Sequence, residues 1–210
     1  MRRLADVLSY VLNPLAWPPI GFALVQAHFG ASGAEVAFSL IVVFVFFAAV
    51  PLGYLVWLWR RGEVASLEVR ERRRRLRPLA VGIASYVAGL VALAVVGRTA
   101  EPLVLALALQ YPVNTLVVLL ITLRWKISIH CVGVAGFAVA LLVVASLPWP
   151  WPSLPVLTPA NTWPVLLLIP PVMWARVASG AHTRAQAVGG ALFGLLVPAV
   201  ELGLFRLAAL

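Results

Sequence analysis

Charge is scarce in this sequence. Lys, Arg, Asp and Glu make up 11% of its 210 residues, against roughly a quarter in a soluble domain, which needs polar surface to cover its core. That shortfall excludes a water-soluble globular domain. Acidic residues are rarer still, seven in all, and they form no carboxylate cluster of the kind that binds Mg²⁺ or Ca²⁺. Cysteine occurs once, as Cys131, which excludes an intrachain disulfide. No Cys/His set has zinc-ligand spacing. Histidine occurs only as His28, His130 and His182.

What fills the chain instead is apolar. Hydrophobic residues reach 63% and the mean hydropathy is +1.02, so long runs need lipid rather than water as solvent. A span takes about 20 apolar residues. Seven stretches qualify, at about 4–30, 35–59, 78–97, 101–123, 131–148, 163–178 and 184–209. The sequence therefore predicts an all-α, polytopic membrane helix bundle with six or seven transmembrane helices. It reads as a single integral membrane domain over 1–210, with a motif-bearing core at about 60–205. The stretch 163–178 is the weakest span. It is short, and Pro170-Pro171 is expected to kink it. Met1-Arg2-Arg3 opens a stretch that is interrupted by Asn13-Pro14 and too long for a secretory signal, so it reads as a first membrane helix. No internal repeat suggests an inverted-repeat transporter.

The 16 Lys and Arg give a formal net charge of +9. Nucleic acid is excluded as a partner, because no soluble segment is long enough to form a reading domain. With seven spans, 14 of the 16 basic residues fall on the face shared by the N-terminus and the loops after the second, fourth and sixth spans. Only Arg98 and Arg206 fall opposite. The positive-inside rule then predicts a cell (inner) membrane protein with these loops cytoplasmic. Trp149, Trp151 and Trp163, around a Pro-rich connection, suit the headgroup layer on the other side.

Three constellations on the basic face carry chemistry. Arg70-Glu-Arg-Arg-Arg-Arg-Leu-Arg77-Pro78 would, if helical, place Arg70 and Arg77 on one face, where two guanidiniums could clamp a phosphate. The simpler reading is a basic loop that sets topology or meets anionic headgroups. Lys126-Ile-Ser128-Ile-His130 puts an imidazole at a membrane boundary, where it can serve as general acid or simply satisfy its own hydrogen bonds. Arg176-Val-Ala-Ser179-Gly-Ala-His182-Thr-Arg-Ala-Gln186 brings a cation near an imidazole around a Gly-containing turn. Within it, Thr183-x-x-Gln186 also fits a capping box. His28 falls on the opposite side and reads as incidental.

Taken together the three motifs resemble the type 2 phosphatidic acid phosphatase family, whose fold is shared with vanadium haloperoxidases. That family carries Lys-x6-Arg-Pro, Pro-Ser-Gly-His and Ser-Arg-x5-His-x3-Asp. Here these read Arg70-x6-Arg77-Pro78, Ile127-Ser128-Ile129-His130 and Ala175-Arg176-x5-His182-x3-Gln186. The order and the spacing within each motif are kept. Ile129 replaces a glycine, and Gln186 replaces the aspartate that orients the third-motif histidine.

The resemblance implies a metal-independent phosphatase acting on a lipid phosphate monoester or diphosphate, such as a phosphatidylglycerophosphate, a phosphatidate or an isoprenyl phosphate. It implies His182 as the nucleophile that forms a phosphohistidine and His130 as the general acid. Arg70, Arg77, Ser128 and Arg176 would bind the phosphate, with Lys126 and Gln186 in support and no cofactor. The alternative is a non-catalytic membrane protein that binds lipid phosphate or anionic headgroups through the same arginines.

Overall fold

A computed structural model describes residues 1–96 and 102–209. The expected connection Gly97–Glu101, with Arg98, lies outside the described residues. All regular structure among the described residues is helical: α1 (Arg2–Val11), α2 (Trp17–His28), α3 (Gly33–Val43), α4 (Val50–Arg60), α5 (Leu76–Val96), α6 (Pro102–Thr122), α7 (Ile129–Ser146), α8 (Pro159–Thr162), α9 (Ile169–Ala178) and α10 (Arg184–Ala209). Among the described residues, six helical stretches are long and apolar enough to cross a membrane: Arg3–His28, Gly33–Arg60, Arg73–Val95, Pro102–Thr122, Ile129–Ser146 and Arg184–Ala209. The chain is a multi-pass membrane protein. Its outward faces agree with that solvent. On α10 the exposed side chains Leu192, Leu196, Val200 and Leu204 recur every fourth residue, and Val87, Val91 and Val95 do the same on α5. A helix whose exposed stripe is Leu and Val needs lipid around it.

The chain forms two compact units, Met1–Val36 with Ile127–Leu210, and Ala37–Lys126. The second unit contains most of α3, then α4, α5 and α6. A π-helical turn, Phe44–Ala49, joins α3 to α4. It frees the carbonyl of Phe46, which accepts from the Ser85 hydroxyl at 2.6 Å.

Between α4 and α5 lies the arginine-rich loop, and the helical condition for Arg70 and Arg77 to share a face is not met from Arg70 to Arg72. Val69 takes a left-handed φ of 30°, a costly conformation for a β-branched residue. Regular structure resumes only in a 3₁₀ turn at Arg73–Arg75, ahead of α5. Arg70 therefore stands in an irregular turn, and seven-residue spacing does not put it on a helical face with Arg77. Two neighbours explain the geometry. Buried Arg75 donates from Nε to the Val69 carbonyl at 2.7 Å, while Val69 packs with Leu58 and Val64. Arg72 donates to the carbonyls of Thr122 and Leu123, and so completes the C-terminal end of α6.

The first unit holds α1, α2 and α7 to α10. Asn13 accepts from the Leu15 N–H at 3.0 Å and opens a 3₁₀ turn at Pro14–Ala16, so the first stretch is two helices rather than one. The doubtful stretch resolves into α8, a 3₁₀ turn at Trp163–Leu168, and α9. Pro170 and Pro171 do not kink a helix. They stand in the first turn of α9, where a missing N–H costs no bond. Helical structure from 159 to 178 returns the chain to the end where α7 begins, because the Ser128 N–H donates to the Gln186 carbonyl at 3.1 Å. His28 is not incidental to the fold. Its Nδ1 accepts from Leu157 N–H at 3.2 Å and its carbonyl accepts from Leu154 N–H, tying the Pro/Trp-rich connection to the end of α2.

The tightest seam of this unit is α7 against α10, packed through Ala135, Gly136, Ala187, Gly190, Ala191 and Gly194. Gly190-x-x-x-Gly194 is a small-xxx-small pattern, which lets backbones approach closely where the hydrophobic effect does not drive helices together. A Cβ at Gly194 would lie 2.4 Å from the Val132 carbonyl oxygen. Gly194→Val is therefore expected to force the helices apart and destabilise the protein by about 1–3 kcal/mol. Thermal unfolding in detergent measures this, and Gly203→Val, at a position with open space, serves as control.

Candidate functional site

Five of the residues singled out in the sequence gather at one end of the first unit. Gly180, with φ of 69°, ends α9 in the left-handed conformation that glycine adopts without penalty. The chain then doubles back, and the His182 N–H donates to the Arg176 carbonyl at 3.1 Å. That single bond locks the arginine that closes α9 to the histidine that precedes α10. Arg176 is 1% exposed and His182 6%. The Arg176 guanidinium also lies within electrostatic reach of Cys131, in the first turn of α7. Ser128 and Cys131, at the start of α7, thus lie close to Arg176, with His130 between them in sequence.

Gln186 does two things at once. The Thr183 N–H donates to Gln186 Oε1 at 3.2 Å, and the Gln186 N–H donates to Thr183 Oγ1 at 3.3 Å. This is a reciprocal capping box at the start of α10. His182 Nδ1 also lies 3.2 Å from the same Oε1. A backbone N–H can only donate, so the Thr183 contact fixes which end of the amide is oxygen. An amide oxygen can only accept, so Nδ1 must carry the proton. In the neutral imidazole this places the lone pair on Nε2. The capping-box reading and the histidine-orienting reading of Gln186 describe one and the same oxygen.

Ser128, fully buried, caps α7: its Oγ accepts from the Cys131 N–H at 3.4 Å. The same hydroxyl also hydrogen-bonds with the Cys131 thiol. His130 sits in the first turn of α7, half-buried. The starts of α7 and α10 converge, as the Ser128–Gln186 backbone bond requires, so the positive ends of two long helices point into one region beside Arg176. Helix N-termini and a buried guanidinium together favour an anion.

The remaining residues belong to the second unit. Lys126 is half-buried at its C-terminal limit. Arg70 is exposed. Arg77, also exposed, pairs with Glu63 at 3.5 Å. Two features escaped the sequence reading. The glycines of the α7–α10 seam were signalled by their four-residue spacing. The division of labour among Arg72, Arg73, Arg74 and Arg75 had no such signal, because consecutive arginines look alike until the loop is folded. Compared with family models, with curated proteins and with solved structures, the chain has no significant match to any.

Proposed function

We propose that the protein is a lipid-phosphate phosphatase of the cell (inner) membrane that works through a phosphohistidine at His182. The observation that carries this reading is the contact of His182 Nδ1 with Gln186 Oε1 at 3.2 Å. The Nδ1 proton is committed to Gln186 Oε1, which leaves Nε2 as a nucleophile beside a buried arginine and two helix N-termini. In the first step Nε2 attacks phosphorus and the bond to the lipid oxygen breaks. His130 protonates that leaving oxygen, giving a lipid alcohol, or a lipid monophosphate when the substrate is a diphosphate. In the second step His130 takes a proton from water, the water oxygen attacks phosphorus, and inorganic phosphate departs from a restored His182. Arg176 and the helix N-termini offset charge on the phosphoryl oxygens as it develops, and Ser128 adds a donor.

Gln186 supplies position without charge. An aspartate there would also stabilise a cationic imidazole, but an attacking imidazole must be neutral. Roles for Arg70 and Arg77 in binding phosphate come from the motif resemblance. The basic loops argue for a cytoplasmic active face and hence for a lipid intermediate made inside the cell.

The test is phosphate release by detergent-purified protein, with EDTA present, from phosphatidate, phosphatidylglycerophosphate and isoprenyl mono- and diphosphates. Release from at least one lipid is expected, with inhibition by vanadate, which mimics five-coordinate phosphorus. Folded protein that binds these lipids yet releases no phosphate would leave a lipid-phosphate-binding protein in its place.

A further inference from the structure

The second unit contains a cavity of about 420 Å³ lined by Leu58, Glu63, Val64, Arg73, Arg74 and Arg77. That falls within the roughly 300–1,000 Å³ of small-ligand clefts. Its two ends differ in chemistry. Leu58 and Val64 are buried and form an apolar floor with Val69. Glu63, Arg73, Arg74 and Arg77 complete the lining. Glu63 lies 3.5 Å from Arg77. Arg74 is held by Glu71 at 2.6 Å and by the Glu63 carbonyl. Arg73 is exposed and makes no ion pair among the described residues. Positive charge therefore remains in excess around the opening. The 3₁₀ turn and start of α5 add the positive end of a 21-residue helix.

The location of the cavity says what kind of anion suits it. α4 closes the span Gly33–Arg60 and α5 belongs to the span Arg73–Val95, so the cavity opens where two membrane helices reach the headgroup layer. Exposed Trp57 and Trp59 mark that depth on α4, and the Arg61 guanidinium covers the Trp57 ring at 4.6 Å. A mostly apolar cavity lined in part by arginines, at that depth, fits a molecule that is a phosphate at one end and hydrocarbon at the other.

We propose that this cavity binds an anionic phospholipid, its phosphate held by Arg73 and Arg74 and its glycerol and first acyl carbons against Leu58 and Val64. The site is built from residues of the second unit alone and does not rest on the phosphatase reading. The test is native mass spectrometry of the detergent-purified full chain, titrated with phosphatidylglycerol, with phosphatidylcholine, and with inorganic phosphate as the small-anion arm. Phosphatidylglycerol is expected to be retained about tenfold better than phosphatidylcholine. Arg73→Gln/Arg74→Gln should reduce that preference about tenfold, whereas His182→Ala should keep it. Arg73→Gln alone leaves the Arg74–Glu71 and Arg77–Glu63 pairs in place, so it gives the answer if the double variant fails to fold. Retention unchanged in both variants overturns the site. Competition by inorganic phosphate as strong as by lipid overturns the lipid and leaves a plain oxyanion site. Loss of binding in His182→Ala would move the lipid to the histidine cluster, again overturning it.

Discussion

Replacing His182 by alanine is expected to abolish phosphate release, by about 10³-fold or more, while leaving the protein folded. The two halves of this expectation have separate causes. The nucleophile is the Nε2 lone pair, and no other described side chain in the cluster offers an equivalent one: His130 is committed to proton transfer in this scheme, and Ser128 caps a helix. Folding, by contrast, asks little of the imidazole. The turn around it is closed by the bond from His182 N–H to the Arg176 carbonyl and by that from Gln186 N–H to Thr183 Oγ1, and both survive the substitution. The measurement is the initial rate of phosphate release beside a thermal unfolding curve. Rapid acid-free quenching of wild type with labelled substrate should also trap a phosphorylated protein that the variant cannot form. A variant that releases phosphate at wild-type rate would end the phosphohistidine scheme, whatever else the protein binds.

The membrane class was legible because it rests on bulk properties. Scarce charge and long apolar runs leave no other solvent, and no local detail can reverse that. Span boundaries were legible to within a few residues wherever a run ended in charge, as at Arg60, Arg124 or Arg184. They were not legible where proline dominates. Pro170 and Pro171 read as a kink, yet they start α9, because the chain before them is 3₁₀ and the prolines fall where helix N–H groups have no partner anyway. The motif at Gln186 was legible in kind: the spacing showed the capping box, and the resemblance implied the histidine partner. That one oxygen serves both could only be seen in space. The arginine loop was least legible. A heptad of arginines suggests a helical face, but Val69 turns left-handed and Arg75 buries itself to hold that turn. Spacing arguments presume regular structure, and here a strained residue ends it.

The second large effect is expected at Arg176, where activity and stability should part company. A guanidinium 1% exposed at the end of a membrane helix is costly to desolvate, so an arginine present only for stability would be a poor choice. Arg176→Met keeps the length and apolar bulk of the stem without the charge. If Arg176 is there for the phosphoryl group, the Met variant should unfold within a few degrees of wild type, since replacing a buried charge by an apolar side chain is often neutral or stabilising. Its kcat/KM should fall by about 10²–10³, as when one donor to a developing oxyanion is lost. Arg176→Lys refines the point. It keeps the charge but loses the planar fork that spans two phosphoryl oxygens, so it should recover part of the rate and none of the bidentate geometry. The contrary result is equally definite. A Met variant destabilised by about 3–5 kcal/mol, the cost of breaking a buried polar network, with activity per folded molecule intact, would make Arg176 the clasp of the α9–α10 turn and not a phosphate ligand. The bond from His182 N–H to the Arg176 carbonyl already closes that turn through the backbone.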